Sequence, residues 1–484
     1  MSPLPKRPSR AGNVAPPAQP TAPPVPAAVT RPAFYLTLIF VFVVYGRFPE
    51  IMDMVTGSAT HSVRIIVGLA LLATLLFGGN LRPVFSKVGI CLIAFTGWMC
   101  VCVPFSVWRG GSFRMIRDTW VVALFSFVII ASAVQGLEQC RKIMYALAAA
   151  TVFIEIVTFF MGRVQQGRMA LLGGTLGNAN YLALMLLMGA PFCLYVIRTR
   201  PGFSLLKLAC LLMLLCMPVT VAATGSRGGL VTLVLMFLMY FVPLPPSQKV
   251  VAGILALILT VIAVAWSTRS ALDRFRILLT TTTPVHLSVS EQSAMESAEL
   301  RKDLLLSSLE LTLRHPLLGV GPGMFAVANA NYTEEVTGHP SFNAWHETHN
   351  TFTQLSCEDG LPGLLFYGLA MLFCFQMVRS AEKRAHADPA LVPIKHMAFA
   401  LRLALVAFTG TAIFASNAYM YYFPMLAGLC VAVDRATAAW LASQSPAVSV
   451  AAHTQPQPAT SLPRYRPAGL AGQGALVWKG PPSA

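Results

Sequence analysis

Apolar stretches recur along most of this chain at the length an α-helix needs to cross the hydrocarbon core of a bilayer, roughly 20 residues. In that medium every backbone N–H and C=O must find its partner within the segment, so such stretches have to be helical. Strands of a membrane barrel would alternate polar and apolar residues, and these do not. About twelve spans are expected, near 34–46, 64–78, 88–103, 119–134, 143–161, 177–197, 203–223, 228–242, 250–267, 360–378, 397–415 and 417–438. Composition agrees: 56% of the 484 residues are hydrophobic and 11% charged, against about 25% charged in a soluble domain.

The remaining segments sort by composition. Residues 1–32 are rich in Pro and Ala, with Lys6, Arg7, Arg10 and Arg31, and bury too little apolar surface to fold. They read as a disordered cytoplasmic tail, and 443–484 as a second. The first apolar run begins at Ala33 without a convincing small-residue cleavage site, so it is expected to be a retained helix. Between the tails, 33–442 forms one membrane domain, interrupted by a long hydrophilic segment, 268–359, that is too long and too rich in motifs to be a mere connection.

Charge gives the orientation. The formal net charge of +16 would suggest nucleic acid in a soluble protein, but here basic loops beside membrane helices follow the positive-inside rule, and no nucleic-acid partner is expected. Lys6, Lys87, Lys142, Lys207, Lys249, Lys383 and Lys395 fall in alternate loops and both flanks, which places those on the cytoplasmic side and 268–359 outside. Arginine breaks the trend. Arg109, Arg114, Arg117, Arg163, Arg168, Arg227, Arg269, Arg274, Arg276 and Arg301 all fall in the expected outer loops. Any one of them reads as interfacial snorkelling or ion pairing. The set points to an anion site, because a guanidinium grips phosphate oxygens bidentately where an ammonium does not.

Within the long segment, Glu296 to Arg314 has an amphipathic helical pattern, with Leu300, Leu304, Leu305, Leu309 and Leu313 at helical spacing and Glu310 placed to pair with Arg314. It is expected to lie along the membrane surface, with Arg301 off the leucine stripe near Ser308 and Thr312. His315-Pro316 ends it. Gly319 to Gly323 form a turn-rich passage that is no nucleotide-binding loop, since no Gly-Lys-Ser/Thr follows. The segment closes on His339, His346, Glu347, His349 and Asn350. A zinc protease needs HExxH, and here Asn350 stands where the second His belongs, so no metal is expected. A histidine acting as general base fits better, because imidazole titrates near the operating pH. The ten cysteines mostly lie inside apolar runs and form no CxxC pair.

His349-Asn350, nine residues, Gly360, two residues, Gly363, opening into an apolar span, resembles the signature of the O-antigen ligase and O-antigen polymerase superfamily of bacterial membrane glycosyltransferases. Thr175 to Asn180, Thr224 to Gly229, and Arg301 followed by His315-Pro316-Leu317-Leu318-Gly319-Val320-Gly321 resemble further landmarks in the expected order. The resemblance covers 170–430; the first five spans match only in kind, and the tails not at all. It implies an all-α, glycosyltransferase C-like fold of about twelve helices in the inner membrane, with the active site in a large periplasmic loop. It also implies a donor glycan on undecaprenyl pyrophosphate and no metal or nucleotide-sugar cofactor. Three acceptors fit: lipid A-core, the growing glycan, or a protein hydroxyl, the last making the chain a protein O-oligosaccharyltransferase. Arg227 and Arg301 are then expected to clamp the pyrophosphate, with Arg274 and Arg168 beside them. His349, with His346 in reserve, would position or deprotonate the acceptor, and Asn350 would orient His349 or the substrate. A lipid-linked glycan flippase is the competing reading; it would need more ionisable groups at mid-membrane than Glu155, the clearest acidic candidate.

Overall fold

The computed structural model describes residues 31–57, 62–77, 80–165, 168–171, 173–266, 289–339, 344–386 and 391–444. These fold into helices and one two-stranded ribbon. Arg269, Arg274 and Arg276 and the two expected tails, apart from their innermost residues, lie outside the described residues.

The chain opens with α1 (Arg31–Tyr45) and α2 (Phe48–Thr56), apolar helices set at 58° to each other across a short break. Then come α3 (Ser62–Leu76), α4 (Lys87–Cys102), α5 (Arg109–Met115), α6 (Val121–Ala133) and α7 (Leu137–Met161). A ribbon of β1 (Arg163–Gln165) and β2 (Arg168–Ala170), paired antiparallel with Arg163 opposite Ala170, leads into α8 (Ala179–Thr199), α9 (Leu205–Ala223), α10 (Arg227–Phe241) and α11 (Pro246–Trp266). The long hydrophilic segment contributes α12 (Val289–Arg314), α13 (Phe325–Thr337) and α14 (Thr351–Glu358). The fold ends with α15 (Gly360–His386), α16 (Val392–Ala412) and α17 (Tyr422–Gln444).

Among the described residues nine helices are long and apolar enough to cross a membrane, or up to ten if α1 and α2 form one bent span. The apolar helices Val63–Leu76 and Arg227–Phe241, where two further spans are expected, fall short of that length. Helix α8 is the axis of the bundle. It packs against α7, α9 and α16, and most of its side chains are buried. The last expected span, 417–438, starts later, at Tyr422, because residues 413–421 form a turn between α16 and α17 that is used elsewhere.

The long hydrophilic segment has its own small core, in which Leu304, Leu311, Val320, Met324, Phe325, Ala328 and Cys357 close on one another. Helix α12 divides only partly as the sequence pattern indicates. Leu305, Leu309 and Leu313 are exposed, while Ser308 and Thr312 are buried and Arg301 is half-buried on their side. Leu304 and Leu300 depart from the expected exposed stripe: Leu304 enters the small core, and Leu300 packs against it and lines the cleft described below.

Candidate active site

Four local devices bring the site together. The first is the His-Asn pair. Asn350 is the N-cap of α14, its side-chain oxygen accepting from the N–H groups of Phe352 at 2.9 Å and Thr353 at 3.1 Å. The cap satisfies two of the helix's orphan donors, and it commits that oxygen to the backbone rather than to His349. His349 then takes φ of +53°, a left-handed conformation uncommon for a residue other than glycine. Its N–H donates to Ser416 Oγ at 2.9 Å, and that hydroxyl also meets Thr348 Oγ1 at 3.0 Å. Backbone strain of this kind persists where surrounding contacts over-determine it, commonly at functional sites.

The second device is the glycine junction. Gly360 has φ of +70°, and a Cβ there would lie 2.0 Å from the carbonyl oxygen of Leu317. The backbone of the Pro316–Val320 turn therefore rests directly on the start of α15, joined by Leu361 N–H to Pro316 O at 2.8 Å and Val320 N–H to Cys357 O at 2.8 Å. Gly363 admits the Asp359 side chain, whose Cβ would be 2.4 Å from an added methyl group. Both glycines are architectural: they let the Pro316–Val320 turn seat on the junction of α14 and α15.

The third device is a buried acid pair between them. Glu358 accepts from the N–H groups of Gly323 at 3.1 Å and Phe325 at 3.0 Å, at the start of α13. Tyr419 Oη lies 2.7 Å from both Glu358 Oε2 and Asp359 Oδ2. A phenol has one proton, so two such contacts require a second proton on the carboxyls. Burial pushes the Glu358 carboxyl up to about 7 and Asp359 well above the usual carboxylate range. Neither Tyr419 nor Ser416 is evident from the sequence pattern: Tyr419 reads as part of the last span and Ser416 as the gap between the last two, whereas both sit in the short turn before α17.

The fourth device is the loop before α8. Asn178 caps the helix by accepting from Asn180 N–H at 2.9 Å. Asn180 Oδ1 accepts from Arg168 Nη2 at 2.7 Å, and Thr224 O accepts from Arg168 Nε at 3.0 Å. The ribbon, the α8 loop and the turn before α10 thus converge on one guanidinium.

The first and fourth of these devices border a cleft of about 440 Å³ lined by Arg168, Arg301 and His349, together with Gln165, Ala170, Leu300 and the run Gly177 to Asn180. Three residues expected from the sequence to act together, drawn from β2, α12 and the turn before α14, share this cavity. Arg227 is not among its lining residues; it opens α10 three positions after Thr224, behind a Ser226 cap. His346 lies near enough to influence His349 electrostatically, while His339 is exposed. Among the described residues, Arg109, Arg114, Arg117 and Arg163 are not in the lining: Arg117 pairs with Asp118 at 2.8 Å, and Arg109 and Arg163 are exposed. Burial first, then Arg301, His346 and Arg168, push the His349 imidazole down to about 4. At neutral pH it is an uncharged proton acceptor beside two fixed cations. Among the described residues no group of three or more His, Cys, Asp or Glu side chains is arranged to hold a metal ion.

The fold and site define a multi-span helical bundle with a cationic cleft between its long hydrophilic segment and the ribbon and loop that lead into α8. Residues 208–368, about a third of this multi-span membrane chain, match the family model described as O-antigen ligase. The matched stretch runs from α9 to the start of α15 and includes Arg227, Arg301, the His-Asn pair and both motif glycines. Arg168 and the α8 loop lie before it. No curated protein sequence matches the chain. The family implies a glycosyltransferase of the ligase or polymerase type acting on lipid-linked glycans.

Proposed function

We propose that this protein transfers a glycan from undecaprenyl pyrophosphate to an acceptor hydroxyl at the periplasmic face of the inner membrane, by a metal-independent inverting reaction. The observation that carries the reading is the shared lining of one cleft by Arg168, Arg301 and His349. His349 accepts the hydroxyl proton, the acceptor oxygen attacks the anomeric carbon, and the bond to the diphosphate oxygen breaks. The negative charge that develops on the diphosphate is met by the guanidinium groups of Arg168 and Arg301, with Arg227 and Arg274 as further candidates. Such fixed donors act where water is partly excluded and need no reorganisation during the reaction.

The twelve-span topology belongs to this reading. With up to ten spans counted by length, the two shorter apolar helices would bring the total to twelve, and the 268–359 segment would lie outside. The exposed Leu305, Leu309 and Leu313 face of α12 would then rest on the bilayer surface. The acceptor is lipid A-core or the growing glycan, with a protein hydroxyl the alternative.

The test uses purified full-length protein with a lipid-linked glycan donor and each acceptor class in turn. His349→Ala and Arg301→Ala should fold and insert normally yet lose transfer by about 100-fold or more. Transfer at the wild-type rate by the His349 variant would remove that residue from the mechanism, and cytosolic labelling of residues 300–340 would overturn the topology.

A further inference from the structure

The loop that walls the cleft is held from the far end of the sequence. Arg47 occupies the break between α1 and α2 at φ of +54°. Its guanidinium is buried over the rings of Tyr421, at 4.8 Å, and Tyr422, at 5.4 Å, and donates to Tyr422 Oη at 2.5 Å. It also pairs with the Glu50 carboxylate. Glu50 does more than balance that charge: Oε2 accepts from Thr175 N–H at 2.9 Å and Oε1 accepts from the Thr175 hydroxyl at 3.1 Å. The next residue back is a glycine whose added Cβ would lie 2.8 Å from Glu50 Oε2, so Gly174 makes room for the carboxylate.

From Thr175 the chain makes a single 3-10 turn and then supplies Gly177, Asn178, Ala179 and Asn180 to the cleft wall. Asn180 in turn aims Arg168. We propose that Glu50, fixed by Arg47, is a positioning residue of the donor site, seating the Thr175–Asn180 loop and through Asn180 the Arg168 guanidinium. The inference rests on the reading that Arg168 grips the donor diphosphate. A carboxylate serving only as counter-ion would not need both oxygens on a residue 125 positions away. A buried cation left without its acid is costly, so the pair sets one arrangement of the loop relative to the bundle. Glu50 and Arg47 both lie outside the stretch matched to the family.

The experiment measures binding of undecaprenyl pyrophosphate to the purified full-length protein in detergent, alongside its melting temperature. Thr175→Val keeps the side-chain shape and the backbone N–H but removes the hydroxyl; it should weaken binding about three- to tenfold, the effect of one lost hydrogen bond, with unchanged melting. Glu50→Ala should weaken binding more than tenfold, and Glu50→Gln, which restores an acceptor for Thr175, should recover part of that loss. The Glu50→Gln and Thr175→Val effects should combine to less than their product, since both act on one contact. Arg168→Ala serves as the control for the site itself. If it binds as wild type, the donor-site reading fails and this inference with it. If Arg168→Ala loses binding while Thr175→Val and Glu50→Gln bind as wild type, the positioning role alone is overturned. Variants that melt earlier yet bind normally overturn it equally, because they assign the network to stability only.

Discussion

Helices α8 and α11 are each 21 residues long and equally suited to hydrocarbon, with mean hydropathy over their spanning windows of 1.8 and 2.2. Their fates differ completely: 78% of the α8 window is buried inside the protein against 6% for α11. Helix α8 has small residues where neighbours come close. An added Cβ at Gly189 would fall 1.9 Å from Thr151 Oγ1 on α7, whereas one at Gly253 in α11 would meet nothing within 4 Å. Bilayer and protein interior are similarly apolar, so hydropathy places both helices in the membrane and says nothing about which packs centrally. In a medium without a hydrophobic drive between helices, close approach through small residues decides it. The cleft sits at the end of the buried helix, where a rigid support is available, and none of its lining residues comes from α11.

This contrast gives a graded set of expectations. The largest effect should lie where the α8 loop meets the cleft. Arg168→Ala removes a guanidinium that Asn180 and Thr224 hold in place, and it should cut the glycan-transfer rate about 100-fold, on the order of 3 kcal/mol of transition-state stabilisation; a rate within threefold of wild type would separate the cleft from the chemistry. Next, Gly189→Leu should lower the melting temperature of the detergent-solubilised protein sharply, since overpacking a filled interface costs about 1–3 kcal/mol or more. If that variant melts as wild type, α8 is not the packed axis described.

A smaller effect should appear in pH profiles. Because burial and the neighbouring cations hold His349 down to about 4, it remains an acceptor well into acid, and the acid limb of kcat/KM should fall only near that value. Once a diphosphate offsets Arg168 and Arg301, the imidazole should be more basic, so the acid limb of kcat should lie at higher pH. Coincident limbs would mean that the donor charge does not reach His349. The buried acid pair titrates in the opposite sense. Glu358 is raised to about 7 when folded, from about 4.3 in an unfolded chain. Its contribution to stability is therefore complete below that lower value and lost as pH rises through about 7. Melting temperature should fall from pH 5 to pH 8, and less steeply in Glu358→Gln, whose amide cannot ionise. The smallest effect belongs to α11, where Gly253→Leu should shift stability by no more than about 0.5 kcal/mol.

Much of the candidate site is legible in the sequence because its chemistry is carried by residue types that are costly in or beside a membrane. Arg168, Arg301 and His349 can be named from charge placement and from the spacing of the His-Asn pair to the glycines. The role of Asn350 cannot: capping and catalytic orientation both call for a polar side chain next to His349, and only the backbone geometry distinguishes them. Arg47 and Glu50 stand at the edge of the first apolar run, where two opposite charges three residues apart are a signal that the pattern of outer-loop arginines does not include. Ser416 and Tyr419 carry none, since hydroxyls occur throughout membrane helices and the turn that exposes them is set by what packs against it.

By itself, then, the order of residues determined that this chain lives in a bilayer as helices, where its one long polar excursion falls, and that guanidinium and imidazole groups gather there. Those outcomes follow from solvation, which acts on each segment separately. Tertiary structure decided which spans form the interior, which arginines reach the cleft, and how an acid near the beginning of the chain supports a loop 125 residues later. Such outcomes depend on close fit between distant segments, and fit is a property of their juxtaposition that no single segment contains.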